Sequence, residues 1–156
     1  MRDTTELELN WSGPSLLLMD VQALEGHFNV SLPTDYLEFL SSVNGGVPTV
    51  NCYDYTHEDG KPGQVIVGDL HRVTADHEDM GGVWRMTQAL REDLASTGRG
   101  ANVVAIGRDG SINPIYLDMS TIPPTVRILY LDDELLDYKI ADSFEQFIDR
   151  LTQWQP

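Results

Sequence analysis

The chain has 156 residues, a length that suits one domain able to bury about 70% of its unfolded surface without a disulfide or a metal. Ten Lys and Arg residues against 25 Asp and Glu give a formal net charge of −15, which disfavours nucleic acid and anionic membranes as partners and favours a basic protein. An acidic surface that serves only solubility is the alternative. The single cysteine, the polar and acidic start, and the lack of an apolar stretch near ~20 residues predict a cytoplasmic protein.

The N-terminal part of the chain predicts two helices. Apolar residues at positions i, i+4, i+7 and i+11 predict the first, from Leu17 to Phe28. The second begins at Pro33, because the fixed φ of proline suits the first position of a helix. It ends before Asn44-Gly45-Gly46, since these residues accept the left-handed conformation found at helix C-termini.

The middle of the chain alternates β-rich runs with one helical pattern. The spacing of Val83, Met86, Leu90 and Leu94 predicts a helix over 82–97. Short runs bounded by turn residues predict five strands, over 49–53, 64–70, 102–107, 115–119 and 126–131. The Asp-Gly pair at 109–110 indicates a hairpin between two of them.

The chain closes with another predicted helix. Apolar residues recur at i, i+3, i+4 and i+7 from Phe144, and either Asp142 or Ser143 supplies the N-terminal cap of a capping box. The order is therefore two helices, strands, a helix, more strands and a final helix. This order predicts an α+β fold, in which helices pack at one side or end of an antiparallel twisted sheet.

Two segments resemble the SUKH superfamily, which contains the yeast cell-wall-assembly regulator and many bacterial immunity proteins. The first is LPTDYLEFL at 32–40, followed by NGG at 44–46, and the second is IADSFEQFI at 140–148. The resemblance covers about residues 14–152 and implies a single SUKH-like domain over 1–156, with an N-terminal helix pair and a C-terminal helix. Structural roles are expected for the motif residues Leu32, Pro33, Tyr36, Phe39, Leu40, Asn44, Gly45, Gly46, Asp142, Ser143, Phe144 and Phe147.

The resemblance implies a scaffold that binds proteins and needs no cofactor. In bacteria this implies an immunity-type protein that neutralises a toxin, often a nuclease, by occluding its surface. The charge of the chain adds the expectation that the toxin is basic. The alternative is a regulatory or scaffold module related to the cell-wall-assembly regulator, which binds a host protein. A small hydrolase or metal-dependent enzyme is a further, less favoured alternative.

Three acidic segments are the candidate partner-binding regions, and neighbouring aromatic residues are candidate anchors, since Tyr and Trp often anchor interfaces. If the fold brings two of these segments to one rim, they form an anionic face for a basic partner; otherwise each is a solvated loop. The candidates are Asp54, Glu58 and Asp59 with Tyr53 and Tyr55; Asp76, Glu78 and Asp79 with Trp84; and Asp132, Asp133, Glu134 and Asp137.

Histidine lies in two of these segments, at His57 and His77, but neither segment has the spacing of a known metal motif. Consecutive residues of a loop mostly point apart, so we predict no metal site. No G-x-S-x-G elbow is present, and Cys52 has no histidine or basic neighbour in the sequence to activate it. The sequence therefore predicts no catalytic and no cofactor-binding residue.

Overall fold

Six antiparallel strands and four helices make up the structure, a computed structural model that describes residues 1–156. The helices are α1 (Leu18–Phe28), α2 (Thr34–Ser42), α3 (Val83–Leu94) and α4 (Phe144–Asp149). The strands are β1 (Cys52–Thr56), β2 (Pro62–Leu70), β3 (Val103–Asp109), β4 (Pro114–Asp118), β5 (Thr125–Tyr130) and β6 (Leu136–Ala141). Short 3₁₀ helices lie at Thr4–Leu7, Ala95–Thr97 and Gly100–Asn102. None of the helices is both long enough and apolar enough to cross a bilayer.

The strands form one sheet in the order β1-β2-β3-β4-β5-β6, so each strand pairs with its neighbours in the chain. The sheet curls until its two edge strands, β1 and β6, come into contact. After α4 the chain returns to β1, where the amide of Cys52 donates to the carbonyl of Thr152 at 2.8 Å. The predicted antiparallel α+β fold is confirmed.

Both faces of the sheet are covered. The larger core lies on one face, where α1, α2 and α4 pack over residues such as Val104 and Ile106 of β3. The alternate residues Val103 and Ala105 face a smaller core under Leu90 of α3. The helices α1, α2 and α4 therefore lie on one side of the sheet, whereas α3 covers the opposite face. This arrangement explains why β3 is apolar on both faces.

The two motif segments pack against each other. The ring of Phe144, at the start of α4, meets the ring of Tyr36 edge-on at 4.9 Å and that of Phe39 at 5.3 Å. The carboxylate of Asp35 accepts a hydrogen bond of 2.9 Å from the amide of Glu145. Segments far apart in the chain thus form one junction between α2 and α4.

The residues that follow α2 attach it to the end of β2. Asn44 is 3% exposed; its amide group donates to the carbonyls of Pro14 and Val73, and its oxygen accepts from the amide of Val73. Gly45 has φ 74°, and a Cβ atom there would lie 2.6 Å from the carbonyl oxygen of His71. Only glycine permits this close approach of two backbone segments.

The cap of α4 is Ser143. Its hydroxyl oxygen accepts from the amide of Gln146 at 3.0 Å, and the side-chain oxygen of Gln146 accepts from the amide of Asp142 at 2.8 Å. The reciprocal bond of this capping box therefore reaches one residue beyond the cap itself.

Most predicted boundaries differ from the structure by a few residues, and one strand was not predicted: α2 begins at Thr34, with Pro33 as its N-cap, and β2 and β3 extend to Pro62 and Asp109. The first strand begins at Cys52 and not at 49, and α3 gives way to a 3₁₀ helix after Leu94. The strand β6 was not predicted, because its start follows an acidic run and its end lies inside the second motif. The alternation of Leu136, Tyr138 and Ile140 with polar residues is the period-two signal that marks it.

Candidate protein-binding surface

The β5–β6 turn, residues 131–135, carries three carboxylates that have no partner. Asp132, Asp133 and Glu134 are exposed, and their side chains form no hydrogen bond or ion pair within the chain. The turn itself is ordered by its backbone, since the amide of Leu136 donates to the carbonyl of Asp133 at 3.0 Å. The charges of this turn are therefore held in place and remain free.

The β1–β2 turn, residues 57–61, folds against β6, so that a second predicted acidic segment lies beside the β5–β6 hairpin. The ring of His57 meets Tyr138 of β6 edge-on at 4.6 Å. Glu58 is exposed and unpaired, whereas Asp59 accepts from the amide of Lys61 at 3.0 Å. A polar cleft of about 540 Å³ separates this turn from β5 and β6. We call Glu58, Asp59, Asp132, Asp133 and Glu134 the acidic rim.

Asp54, from the same predicted segment, lies on the exposed side of β1. Its carboxylate accepts a hydrogen bond of 2.9 Å from the side-chain amide of Gln64 on β2. It is therefore an exposed residue of the hairpin arm that leads to the acidic rim.

Asp137, which the sequence groups with the turn residues, has a different environment. Its carboxylate accepts from the hydroxyl of Tyr116 at 2.9 Å and from Nε of Arg127 at 2.7 Å, and it lies 2.5 Å from Nη1 of Arg99. Burial raises the pKa of Asp137, but these donors and charges outweigh it and keep the pKa below its usual value. Asp137 thus joins β4, β5, β6 and the segment after α3.

The third acidic segment, 76–79, does not join the acidic rim. It lies in the connection between β2 and α3, where Arg72 and Gly82 form an isolated bridge. Asp79 forms a bidentate pair with Arg72, at 2.6 and 2.7 Å, and Glu78 pairs with Arg85 at 2.8 Å. Asp76 accepts from the amide of Glu78. Two of its three carboxylates are neutralised by nearby arginines, so the segment stabilises its own loop.

The three aromatic candidates are not exposed anchors. Tyr53 is 1% exposed, and its ring packs against Phe147 in the core at 5.1 Å, which corrects its prediction as an interface residue. Tyr55 is half-buried against the same core. Trp84 is half-buried between two histidine rings, with centroids 3.5 Å from His77 and 4.4 Å from His27. The alternation of β1 places Tyr53 and Tyr55 on the inner face of the sheet.

The exposed apolar residues near the acidic rim were not singled out from the sequence. Ile112 in the β3–β4 turn is 67% exposed and Leu131 in the β5–β6 turn is 37% exposed. Together with Met86 and Ala89 of α3 they line a cleft of about 180 Å³. A large apolar residue inside a polar turn is the signal that sequence inspection could have used, because hairpin turns favour small polar residues.

The histidine and cysteine residues assemble no recognisable chemical site. No three side chains of His, Cys, Asp or Glu come together as a metal-ligand set. The thiol of Cys52 is buried, and burial raises its pKa, which disfavours the reactive thiolate form. His57 and His77 instead pack against aromatic rings.

A small α+β domain with an ordered acidic rim, unpaired except at Asp59, fits the class of protein-interaction domains. The model of the SMI1 / KNR4 family (SUKH-1) matches residues 18–150, and the chain belongs to this family. The family is in general one of non-enzymatic immunity or interaction domains, which supports the same class for this chain. A comparison with curated proteins finds no match.

Proposed function

We propose that this chain is an immunity-type protein that binds a basic toxin domain and neutralises it by occluding the toxin's surface. Membership of the SMI1 / KNR4 family (SUKH-1) supports a protein partner. The acidic rim supports a basic one, because it presents carboxylates from two separate turns beside the same hairpin. The alternative is a regulatory module related to the cell-wall-assembly regulator. Such a module would also bind its partner, a host protein, through an exposed surface such as the acidic rim.

The observation that carries this proposal is the uneven use of charge within the chain. Eight of the ten basic side chains form ion pairs with acidic residues of the same molecule. Most of the 25 acidic side chains have no cation within 4.0 Å, among them Glu58, Asp132 and Asp133. The chain therefore carries an excess of negative charge beyond its internal ion pairs, and the β5–β6 turn holds three of these unpaired carboxylates in sequence.

Such a field steers a cationic partner toward the acidic rim and can raise its association rate by about 10–1,000-fold at low salt. Once bound, Lys and Arg side chains of the partner would pair with rim carboxylates, of which all but Asp59 have no internal cation to give up. A toxin that recognises an anionic substrate, such as a nucleic acid, presents basic residues around its active site. Covering them blocks the toxin without any chemical step on the immunity side.

The direct test mixes the purified chain with the protein encoded by the adjacent gene and measures binding and toxin activity. We expect a stoichiometric complex, loss of the toxin's activity, and an association rate that falls as salt rises. If the two proteins form no complex at low salt, the toxin hypothesis is wrong.

A matched pair of variants separates the acidic rim from general acidity. Asp132→Lys with Asp133→Lys changes two rim residues, and Glu8→Lys with Glu38→Lys changes two exposed acids elsewhere by the same total charge. We expect the rim variant to lower the association rate about tenfold more than the control variant. Equal effects from the two variants would show that only net charge matters.

A further inference from the structure

A small apolar cleft lies between α3 and two hairpin turns. One wall consists of Met86, Ala89 and Leu90 of α3, and the other of Ile112 and Leu131. The cleft has a volume of about 180 Å³. Since a protein cavity of about 150 Å³ can bind benzene, this cleft has room for one side chain the size of leucine or phenylalanine.

The β3–β4 turn presents Ile112 in an unfavourable backbone conformation. Its φ is 63°, in the left-handed region that a β-branched residue rarely adopts. The carboxylate of Asp109 fixes the turn by accepting from the amides of Ser111 at 2.9 Å and Asn113 at 2.8 Å. Such strain costs about 1–3 kcal/mol and is concentrated at functional sites. An exposed isoleucine held in this conformation therefore indicates a role in binding.

The two turns that border the cleft are joined. The side-chain oxygen of Asn113 accepts from the amide of Leu131 at 3.1 Å, which ties the β3–β4 turn to the β5–β6 turn. Leu131 in turn is followed directly by Asp132 and Asp133 of the acidic rim. The apolar cleft and the acidic rim are therefore parts of one continuous, preorganised surface.

The charges around the cleft are negative. The carboxylate of Asp93 lines its mouth, next to the exposed Glu92 on α3. The guanidinium that lines the cleft, that of Arg108, is bound to Asp69 at 2.6 Å. An apolar side chain that enters the cleft is thus best flanked by cationic residues.

One buried polar side chain, that of His71, lines the otherwise mostly apolar cleft. His71 is 2% exposed, with Nδ1 at 3.3 Å from a carboxylate oxygen of Asp69. Burial raises the pKa of Asp69, but His71 and Arg108 outweigh it and hold the pKa below its usual value. A peptide segment fits this cleft better than a hydrocarbon chain, because its Lys or Arg side chains can pair with the carboxylates that surround the cleft.

We infer that this cleft is the anchor pocket of the partner-binding surface. It receives one leucine- or phenylalanine-sized side chain of a basic protein partner, whose adjacent Lys or Arg residues meet Asp93 and the acidic rim. The inference rests on the proposed function, because a basic protein partner supplies both components. A buried apolar anchor surrounded by polar contacts is the usual arrangement of a tight protein interface.

A peptide experiment on the full chain tests the pocket without knowledge of the toxin. The probes are two capped peptides, one with a central leucine between two Lys-Arg pairs and one with glycine in place of that leucine. Methyl-labelled NMR spectra of the chain report on Ile112 and Leu131. We expect the leucine peptide to shift both methyl signals and to bind about tenfold or more tightly than the glycine peptide, as burial of one apolar side chain predicts.

Variants test the same pocket in the complex with the toxin encoded by the adjacent gene. Ile112→Ala removes the exposed wall, and Ala89→Trp fills the cleft from α3; we expect each to weaken the complex at least tenfold. Ile122→Ala is the matched control, because Ile122 is 100% exposed but lies in the β4–β5 loop at the other end of the sheet. Thermal unfolding of each variant verifies that the fold is retained.

The outcomes separate this inference from the proposed function. Equal affinity for the two peptides, or methyl shifts that avoid the cleft, would overturn the anchor pocket. A toxin complex that tolerates both Ile112→Ala and Ala89→Trp would also overturn it, and would leave the proposed function in place. A dimer of the chain that Ile112→Ala dissociates would assign the cleft to a second copy and overturn it as well. Absence of any toxin complex counts against the proposed function, while the peptide spectra still decide the pocket.

Discussion

The two ends of the sheet use their polar side chains in different ways. At the end where β2 and β6 finish, which we call the motif end, Asn44 is buried with three hydrogen bonds and Ser143 caps α4. At the opposite end, the turn end, Asp132 and Asp133 are exposed and unpaired. Asn44 and Ser143 of the motif end are satisfied by the chain itself, whereas Asp132 and Asp133 of the turn end remain available to another molecule.

The same contrast recurs within one hairpin. Asp137 lies on β6 and is held by Arg127 and Arg99, yet the neighbouring turn residue Asp133 has no cation within 4.0 Å. Both are aspartates of one acidic run in the sequence. Their roles differ because the sheet places basic residues of β5 and of the segment after α3 beside only one of them. An acidic run is thus divided by the fold into a structural residue and binding candidates.

The largest effect is expected at the motif end, from Asn44→Ala. The substitution leaves the amide and carbonyl of Val73 and the carbonyl of Pro14 without their partner, and buried unpaired groups are costly. We expect the free energy of unfolding to fall by about 3 kcal/mol in urea titrations. Asn102→Ala, at an exposed position, should change it by less than about 0.5 kcal/mol. A loss below about 1 kcal/mol for Asn44→Ala would contradict the contrast between the two ends.

A smaller loss is expected from Asp137→Asn. The amide cannot neutralise Arg127 and Arg99, and charge-assisted hydrogen bonds of this kind contribute about 1.5–3 kcal/mol. We expect the free energy of unfolding to fall by about 2 kcal/mol, whereas Asp133→Asn should leave it almost unchanged. Similar losses for the two variants would mean that the division of the acidic run is wrong.

The effect of Asp137→Asn should also depend on pH. The pKa of Asp137 in the folded chain lies below its unfolded value of about 3.9. The carboxylate therefore contributes its full stabilisation above about pH 4, and this contribution is lost as pH falls through the folded pKa. The urea titrations of wild type and variant should therefore approach each other as pH falls from about 4 through the folded pKa of Asp137. A stability difference that stays constant between pH 7 and pH 3 would show that the carboxylate charge is not its source.

The sequence was sufficient for the elements that carry periodic patterns or caps. The stripe from Leu17 to Phe28, the Asn44-Gly45-Gly46 stop and the capping box at Asp142 or Ser143 all act through local geometry, so their signals are local as well. The strand β6 was missed although its alternation is present, because its polar outer face could not be distinguished from an acidic loop. An edge strand of this kind forms because it pairs with β5, and this pairing cannot be read from the residues of β6 alone.

The candidate surface was only partly predictable for a related reason. Acidic composition marked the turns at 57–59 and 132–134 correctly as exposed, but it also marked 76–79, where Arg72 and Arg85 supply partners. Ion pairing is a tertiary property, since Arg99 and Arg127 reach Asp137 from distant parts of the chain. The pocket beside Ile112 requires three separate elements, and no local pattern encodes it.

The smallest effect, and one of opposite sign, is expected at the turn end. Asp132→Lys with Asp133→Lys removes two unpaired carboxylates from a chain of net charge −15 and lowers the repulsion between its acidic residues. We expect the free energy of unfolding to rise by a few tenths of a kcal/mol at low salt and the gain to disappear as salt is added. Urea titrations at two salt concentrations measure both. This result is expected of residues that destabilise the free protein but bind a partner. A fall in the free energy of unfolding of more than about 1 kcal/mol would instead show that Asp132 and Asp133 stabilise the fold.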